Sequence, residues 1–181
     1  MSSVLTLLFA PSFLILINYF EFKMVVLVYI FLSLLFLIYA YEKKKKSEDF
    51  IIVSTYLLLL AVAYFNNSFE SVKFIPVFTA MTFFVVFANS AIKKNELIFK
   101  FTKTFYKKEL SDAEAIFLKK GDSFWAVAIF IYIIILMSLV YYGDNILWAF
   151  YSSIGWYIYF SFVLIIQIIY GKAYAIKLYS K

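Results

Sequence analysis

Residues 91–123 read AIKKNELIFKFTKTFYKKELSDAEAIFLKKGDS, and this stretch decides the fold. It is the one long polar run in a chain of 181 residues and carries eight of the 17 lysines. The sequence on either side is dominated by apolar runs about as long as a bilayer is thick. A basic interruption between such runs describes a polytopic membrane protein with one large extramembrane segment.

Composition supports this reading. Hydrophobic residues make up 65% of the chain and charged residues 15%, against roughly 25% charged in ordinary globular proteins. The expected fold is an all-α membrane protein of six transmembrane helices, arranged as three up-down hairpins in one polytopic domain, residues 1–181. The spans expected are 4–20, 24–41, 50–65, 74–91, 124–142 and 146–170. The amphipathic segment 92–123 lies between the fourth and fifth. The first run is too long for a signal-peptide core and lacks a basic leader, so it is read as a span. Pro11 should kink it, and Glu21-Phe22-Lys23 marks the turn into the second. Pro76 is expected in the first turn of the fourth span, where proline is tolerated. A polar loop with Glu70 and Lys73 is expected before it. Tyr141-Tyr142-Gly143-Asp144-Asn145 makes a tight turn.

Orientation follows from lysine counting. With six spans, 15 lysines, including the block Lys43 to Lys46, share one side with both termini, and only Lys23 and Lys73 lie opposite. Both termini are therefore expected to face the cytoplasm.

Within the polar stretch, residues 95–108 have helical periodicity. Leu97, Ile98, Phe101 and Phe105 fall within an arc of about 100°, with Lys100, Lys103 and Lys107 opposite. A helix lying in the interface, with its lysines towards anionic lipid, has this pattern. Ser111-Asp112-Ala113-Glu114 is a capping box that starts a second short helix, expected to stop at Gly121. Asp122 or Ser123 is then expected to cap the fifth span.

The chain has no Cys, His or Arg. Disulfides, thiol nucleophiles, the usual zinc sites and the commonest general base are thereby excluded. No cofactor or metal is expected. Glu109, Asp112 and Glu114 cluster, but capping accounts for them better than a metal does. The lysines sit beside apolar spans, so membrane lipid rather than nucleic acid is the expected counter-charge.

Intramembrane polar residues are candidates by default: Asn18, Asn89, Ser90, Ser152, Ser153 and Gln167. None ionises, which fits hydrogen bonding between helices better than a proton relay. Ala149 and Ser153, beside Gly155, suit close helix packing. Trp148 and Tyr170 fit interfacial belts, whereas Tyr157 and Tyr159 need hydroxyl partners.

Ile75-Pro76-Val77, Phe87-Ala88-Asn89-Ser90 and Leu97-Ile98 resemble the corresponding part of an uncharacterised family of small bacterial inner-membrane proteins. Its members are commonly encoded beside the fatty-acid-synthase-like genes for aryl polyene (xanthomonadin-type) pigments. The paired bases Lys119-Lys120 followed by Trp125, and the opening Trp148-Ala149-Phe150-Tyr151, also resemble that family. The family carries an acidic residue near the end of its last span. Gln167 stands there here, ahead of Lys172, so an acid–base role is not implied. Residues 148–155 and the basic segment are also similar to a septation-associated inner-membrane family.

The absence of catalytic chemistry and the basic amphipathic segment point to a non-catalytic accessory protein, and the resemblance implies a bacterial inner membrane and support of acyl-lipid, aryl polyene or envelope biosynthesis, with a cytosolic or membrane biosynthetic complex as partner. Lys100, Lys103, Lys107, Lys119, Lys120 and Trp125 are the candidates for lipid or partner docking. A small oligomeric transporter of lipid or a precursor, lined by Asn18, Asn89, Ser152 and Gln167, is the alternative. A membrane-embedded acyltransferase or reductase using Asp, Glu, Lys or Tyr ranks third.

Overall fold

The computed structural model describes residues 2–43, 47–105 and 111–179. The lysines at 44–46, Lys107 and Glu109, all named above, lie outside the described residues. Every regular element among the described residues is helical: α1 Ser2–Ile17, α2 Phe22–Glu42, α3 Ser47–Asn66, α4 Phe69–Lys93, α5 Leu97–Phe105, α6 Asp112–Lys119, α7 Gly121–Tyr142, α8 Asn145–Phe150, a π-helical turn Tyr151–Gly155, and α9 Trp156–Tyr179.

Among the described residues, four segments are long and apolar enough to cross a membrane: α2, α4, α7 and the α8–π–α9 run Asn145–Tyr174. The all-helical membrane architecture is therefore as expected. Leu8–Ile17 and Phe50–Asn66 are shorter apolar helices. At about 1.5 Å per residue they fall below a hydrocarbon core of roughly 30 Å.

The chain divides into two compact units. The first comprises Met1–Thr82 and Ile133–Trp156. In it α2 packs along α3, and α1 packs against α2, α8 and the π turn. Aromatic edges fill its core. Phe9 of α1 meets Tyr29 of α2 at 5.1 Å and Tyr56 of α3 at 5.4 Å between ring centroids. Phe13 stacks on Phe69 at 5.9 Å, and Phe69 meets Trp148 edge-on at 5.5 Å. Edge-to-face and offset pairs of this kind stabilise by about 0.5–1.5 kcal/mol beyond the area they bury. Ala149, Ser152, Ser153 and Gly155 are buried where α8 and the π turn meet α1, as small residues at a close helix contact should be.

Several local expectations are corrected. Pro76 lies inside α4, because that helix begins at Phe69, just after Asn67 has ended α3 in a left-handed conformation (φ 48°). The expected polar loop is taken into α4 because Glu70 and Lys73, three residues apart, share a face and pair at 3.0 Å. Trp148 does not sit in an interfacial belt. It is fully buried, and its indole Nε1 donates to the Lys73 carbonyl at 3.2 Å. The sixth apolar run is not one regular helix. Asp144 caps α8 by accepting from the Leu147 N–H at 2.7 Å, and the π turn follows within two turns.

The second unit comprises Phe83–Tyr132 and Tyr157–Lys181. It holds the end of α4, all of α5 and α6, the start of α7 and nearly all of α9. Tyr159 finds the hydroxyl partner it needs: its OH donates to the Ala128 carbonyl at 2.9 Å.

Candidate functional site

The second unit is organised by how its basic segment is fastened. α4 ends with Lys94 in the left-handed region (φ 54°), and the Asn95 N–H donates back to the Ser90 carbonyl at 2.9 Å. This closes the last turn of the helix on itself. Glu96 is also left-handed (φ 55°) and reverses the chain into α5.

The first amides of a helix have no partner within it. Those of α5 find one 25 residues away in sequence. The Leu97 N–H donates to Asp122 Oδ2 at 2.9 Å, and the Ile98 N–H donates to Asp122 Oδ1 at 2.9 Å. The Ser90 hydroxyl donates to Oδ2 as well. Asp122 is only 2% exposed. A buried carboxylate is costly unless fully hydrogen-bonded, and these three donors, at the positive end of α5, meet that requirement.

This corrects the expectation for Asp122. It caps α5 from a distance and is itself already inside α7, which starts at Gly121. Gly121 likewise does not end α6 with a positive φ. That helix stops at Lys119 with Lys120 as C-cap. Glycine is required at 121 for space. A Cβ there would lie 2.9 Å from Ile98 Cγ2 and 3.0 Å from Gln167 Nε2. Its absence lets α5 and α9 approach the start of α7.

Gln167 and Trp125 tie α7 to α9. The Trp125 indole Nε1 donates to Gln167 Oε1 at 2.7 Å. Its ring lies between Phe87 (6.2 Å, 25°) and Phe160 (5.6 Å, 13°), joining α4, α7 and α9. Gln167 is buried, and its Nε2 has no partner among the described residues.

α6 is capped as expected. The Ser111 N–H donates to Glu114 Oε2 at 3.0 Å, and the Glu114 N–H donates to Ser111 Oγ at 3.4 Å. The Ser111 N–H, contributing most, and the Ser111 hydroxyl, which donates to Glu114 Oε2 at 2.9 Å, hold the Glu114 carboxyl below the usual carboxylate range. Phe117 packs α6 onto α9. A Cβ at Gly171 would lie 3.1 Å from its ring, and Tyr174 lies 5.9 Å away between centroids. Lys119 ties α6 to α5, pairing with Glu96 at 3.7 Å and lying over the Phe99 ring at 5.5 Å.

The candidates from sequence therefore separate. Lys100, Lys103, Lys119 and Lys120 lie exposed on one fastened segment, while Lys107 is outside the described residues. Trp125 is a packing residue, half-buried between rings. Asn18 belongs to the first unit, where its Nδ2 donates to the Leu14 carbonyl at 2.9 Å. Ser153 is also there, its hydroxyl turned to the Ala149 carbonyl at 2.6 Å. Asn89 is exposed, one residue before the Ser90 that contacts Asp122. Sequence reasoning named Ser90 and Asp122 separately and missed their pairing, because the contact spans 32 residues and leaves no local pattern.

Among the described residues no group of three or more acidic side chains could hold a metal. In comparisons with known proteins, no family model, curated protein or solved structure matches the chain.

Proposed function

We propose that this chain is a non-catalytic accessory protein of a bacterial inner membrane, which anchors a cytosolic partner of acyl-lipid or envelope biosynthesis. In this reading α1 and α3 also cross the membrane, giving six spans as three hairpins with both termini cytoplasmic. The family resemblances to aryl-polyene-associated and septation-associated membrane proteins belong to the same proposal. A single observation carries it. The basic segment is held as a fixed platform by Asp122, Gly121 and Phe117, yet the outer face of α6 is left open.

That face carries Asp112, Ile116 and Lys120, with Ile116 45% exposed. An apolar residue ringed by charges on a fixed helix resembles the centre of a transient protein interface. A segment that only connected two spans would gain nothing from being fastened both to the start of α7 and to α9.

Two exposed residues outside those fastenings supply the test. Ile116→Asp combined with Lys120→Glu should abolish co-purification of a cytosolic partner in mild detergent, with protein level and melting temperature unchanged. Retention of the same partner by the double variant, or recovery of the wild-type chain alone under every condition, would reject the reading.

A further inference from the structure

The exposed face of α5 differs from that of α6 and calls for a different occupant. The apolar stripe read from sequence does not act as one surface. Ile98 is turned to Gly121, with its Cγ2 at the place a Cβ there would need. Phe99 is turned to α6 beneath the Lys119 ammonium. These contacts hold one side of the helix against the protein. The opposite arc carries Lys103, Lys100, Thr104, Leu97 and Phe101 in angular order, at about 100° per residue. All five are exposed, Leu97 at 36% and Phe101 at 65%.

One half of this arc is cationic and the other half is apolar. Acidic side chains nearby are mostly turned elsewhere: Asp122 to Ser90 and the α5 amides, Glu96 to Lys119, and Glu114 to Ser111. Asp112 is exposed, but on α6. Lys93 and Lys94 add two more exposed charges where α4 ends.

Chain connectivity sets the depth. Both α4, which ends at Lys93, and α7, which begins at Gly121, are long and apolar enough to span a membrane. Only residues 94–96 separate α4 from α5, so α5 starts within one turn of a span's end. A helix at that level, with lysines beside apolar side chains, meets lipid headgroups and the first acyl carbons together.

We infer that the outer arc of α5 is a binding surface for anionic phospholipid, with Lys100, Lys103, Lys93 and Lys94 on the headgroup phosphates and Leu97 and Phe101 among the upper acyl chains. This is independent of the α6 docking reading. The Asp122 clamp fixes the rotation of α5, so these lysines face the lipid as a set. Each lysine near a charged leaflet favours anionic over zwitterionic lipid by roughly fivefold.

The chain has no cysteine, so a single Thr104→Cys substitution places one fluorophore in this arc. The full-length protein would be placed in nanodiscs containing phosphatidylcholine and phosphatidylglycerol, with one or the other brominated high on its acyl chains. Brominated phosphatidylglycerol should quench the reporter at least about fivefold more effectively than brominated phosphatidylcholine at equal mole fraction. Lys100→Gln with Lys103→Gln should reduce that preference severalfold, while Lys100→Arg with Lys103→Arg should keep it. Equal quenching by the two lipids would overturn the inference. So would absence of quenching by either, which would put α5 clear of lipid and leave its face to a protein.

Discussion

Replacing Asp122 by alanine should release α5 from the membrane-spanning helices without unfolding them. The carboxylate accepts from Ser90 Oγ and from the Leu97 and Ile98 amides, the latter two at 2.9 Å, in a site that is 2% exposed. A hydrogen bond to a charged acceptor contributes about 1.5–3 kcal/mol, and a buried donor left unpaired costs about 1–3 kcal/mol. Three such terms within one network do not simply add. The α5 amides can also reach water once the helix lifts away, which limits the loss. Local opening should become easier by about 3–4 kcal/mol, and at about 1.4 kcal/mol per tenfold this means roughly 10²–10³ in the opening equilibrium.

Amide hydrogen exchange reads this directly. Leu97 and Ile98 lie in the first turn of α5, where no intrahelical carbonyl can protect them. Slow exchange there reports the clamp itself. Asp122→Ala should accelerate both amides by that factor and leave the interiors of α4 and α7 protected. Asp122→Asn, which keeps one carbonyl acceptor, should give about a tenfold effect, as expected for the loss of one net bond. Asp144→Ala should accelerate the Leu147 amide instead, because that carboxylate caps α8. Unchanged exchange at Leu97 and Ile98 in Asp122→Ala would refute the clamp.

Three further outcomes follow from the same unit. Gly121→Ala would place a methyl 2.9 Å from Ile98 Cγ2, a β-branched group with little freedom to turn aside, and should lower stability in detergent by about 1–3 kcal/mol; an unchanged melting temperature would count against the close approach. Trp125→Phe or Gln167→Leu alone should each cost about 1 kcal/mol by stranding the other partner of the 2.7 Å bond. The double variant should cost less than the sum, and strict additivity in the thermodynamic cycle would dismiss the bond. Glu114, with its carboxyl held low by Ser111, should stabilise α6 at any pH above the ordinary carboxylate range and lose that contribution as pH falls through its lowered folded value. Titration of the Glu114 carboxyl by NMR should show the depressed midpoint, and Ser111→Ala, which removes the hydroxyl but keeps the backbone N–H that contributes most, should raise it only part of the way to the ordinary value.

What could be read from sequence was whatever a helix carries locally. The apolar runs around α2, α4, α7 and α9 announce themselves by length. The Ser111–Glu114 capping box lies within four residues and formed as expected. What escaped depends on residues distant in sequence. Asp122 reads as a local cap because aspartate next to an apolar run usually is one; its real partners are on the far side of the lysine-rich stretch. Gly121 reads as a helix stop, but only the arrival of Ile98 and Gln167 shows that space is what it provides. Trp148 reads as interfacial until the Lys73 carbonyl gives its indole N–H a buried partner. The apolar arc of α5 was legible as a pattern, but not the turning of Ile98 inwards while Leu97 and Phe101 stay out.

The claim on which the account rests is that α5 and α6 form a fixed platform on the cytoplasmic face. Single cysteines at Ile116 and Thr104, introduced into a chain that has none, test it most directly. In intact spheroplasts a membrane-impermeant maleimide should leave both positions unlabelled, and both should react once the membrane is opened. Labelling of either position in intact spheroplasts would put the platform on the outer face and contradict the account.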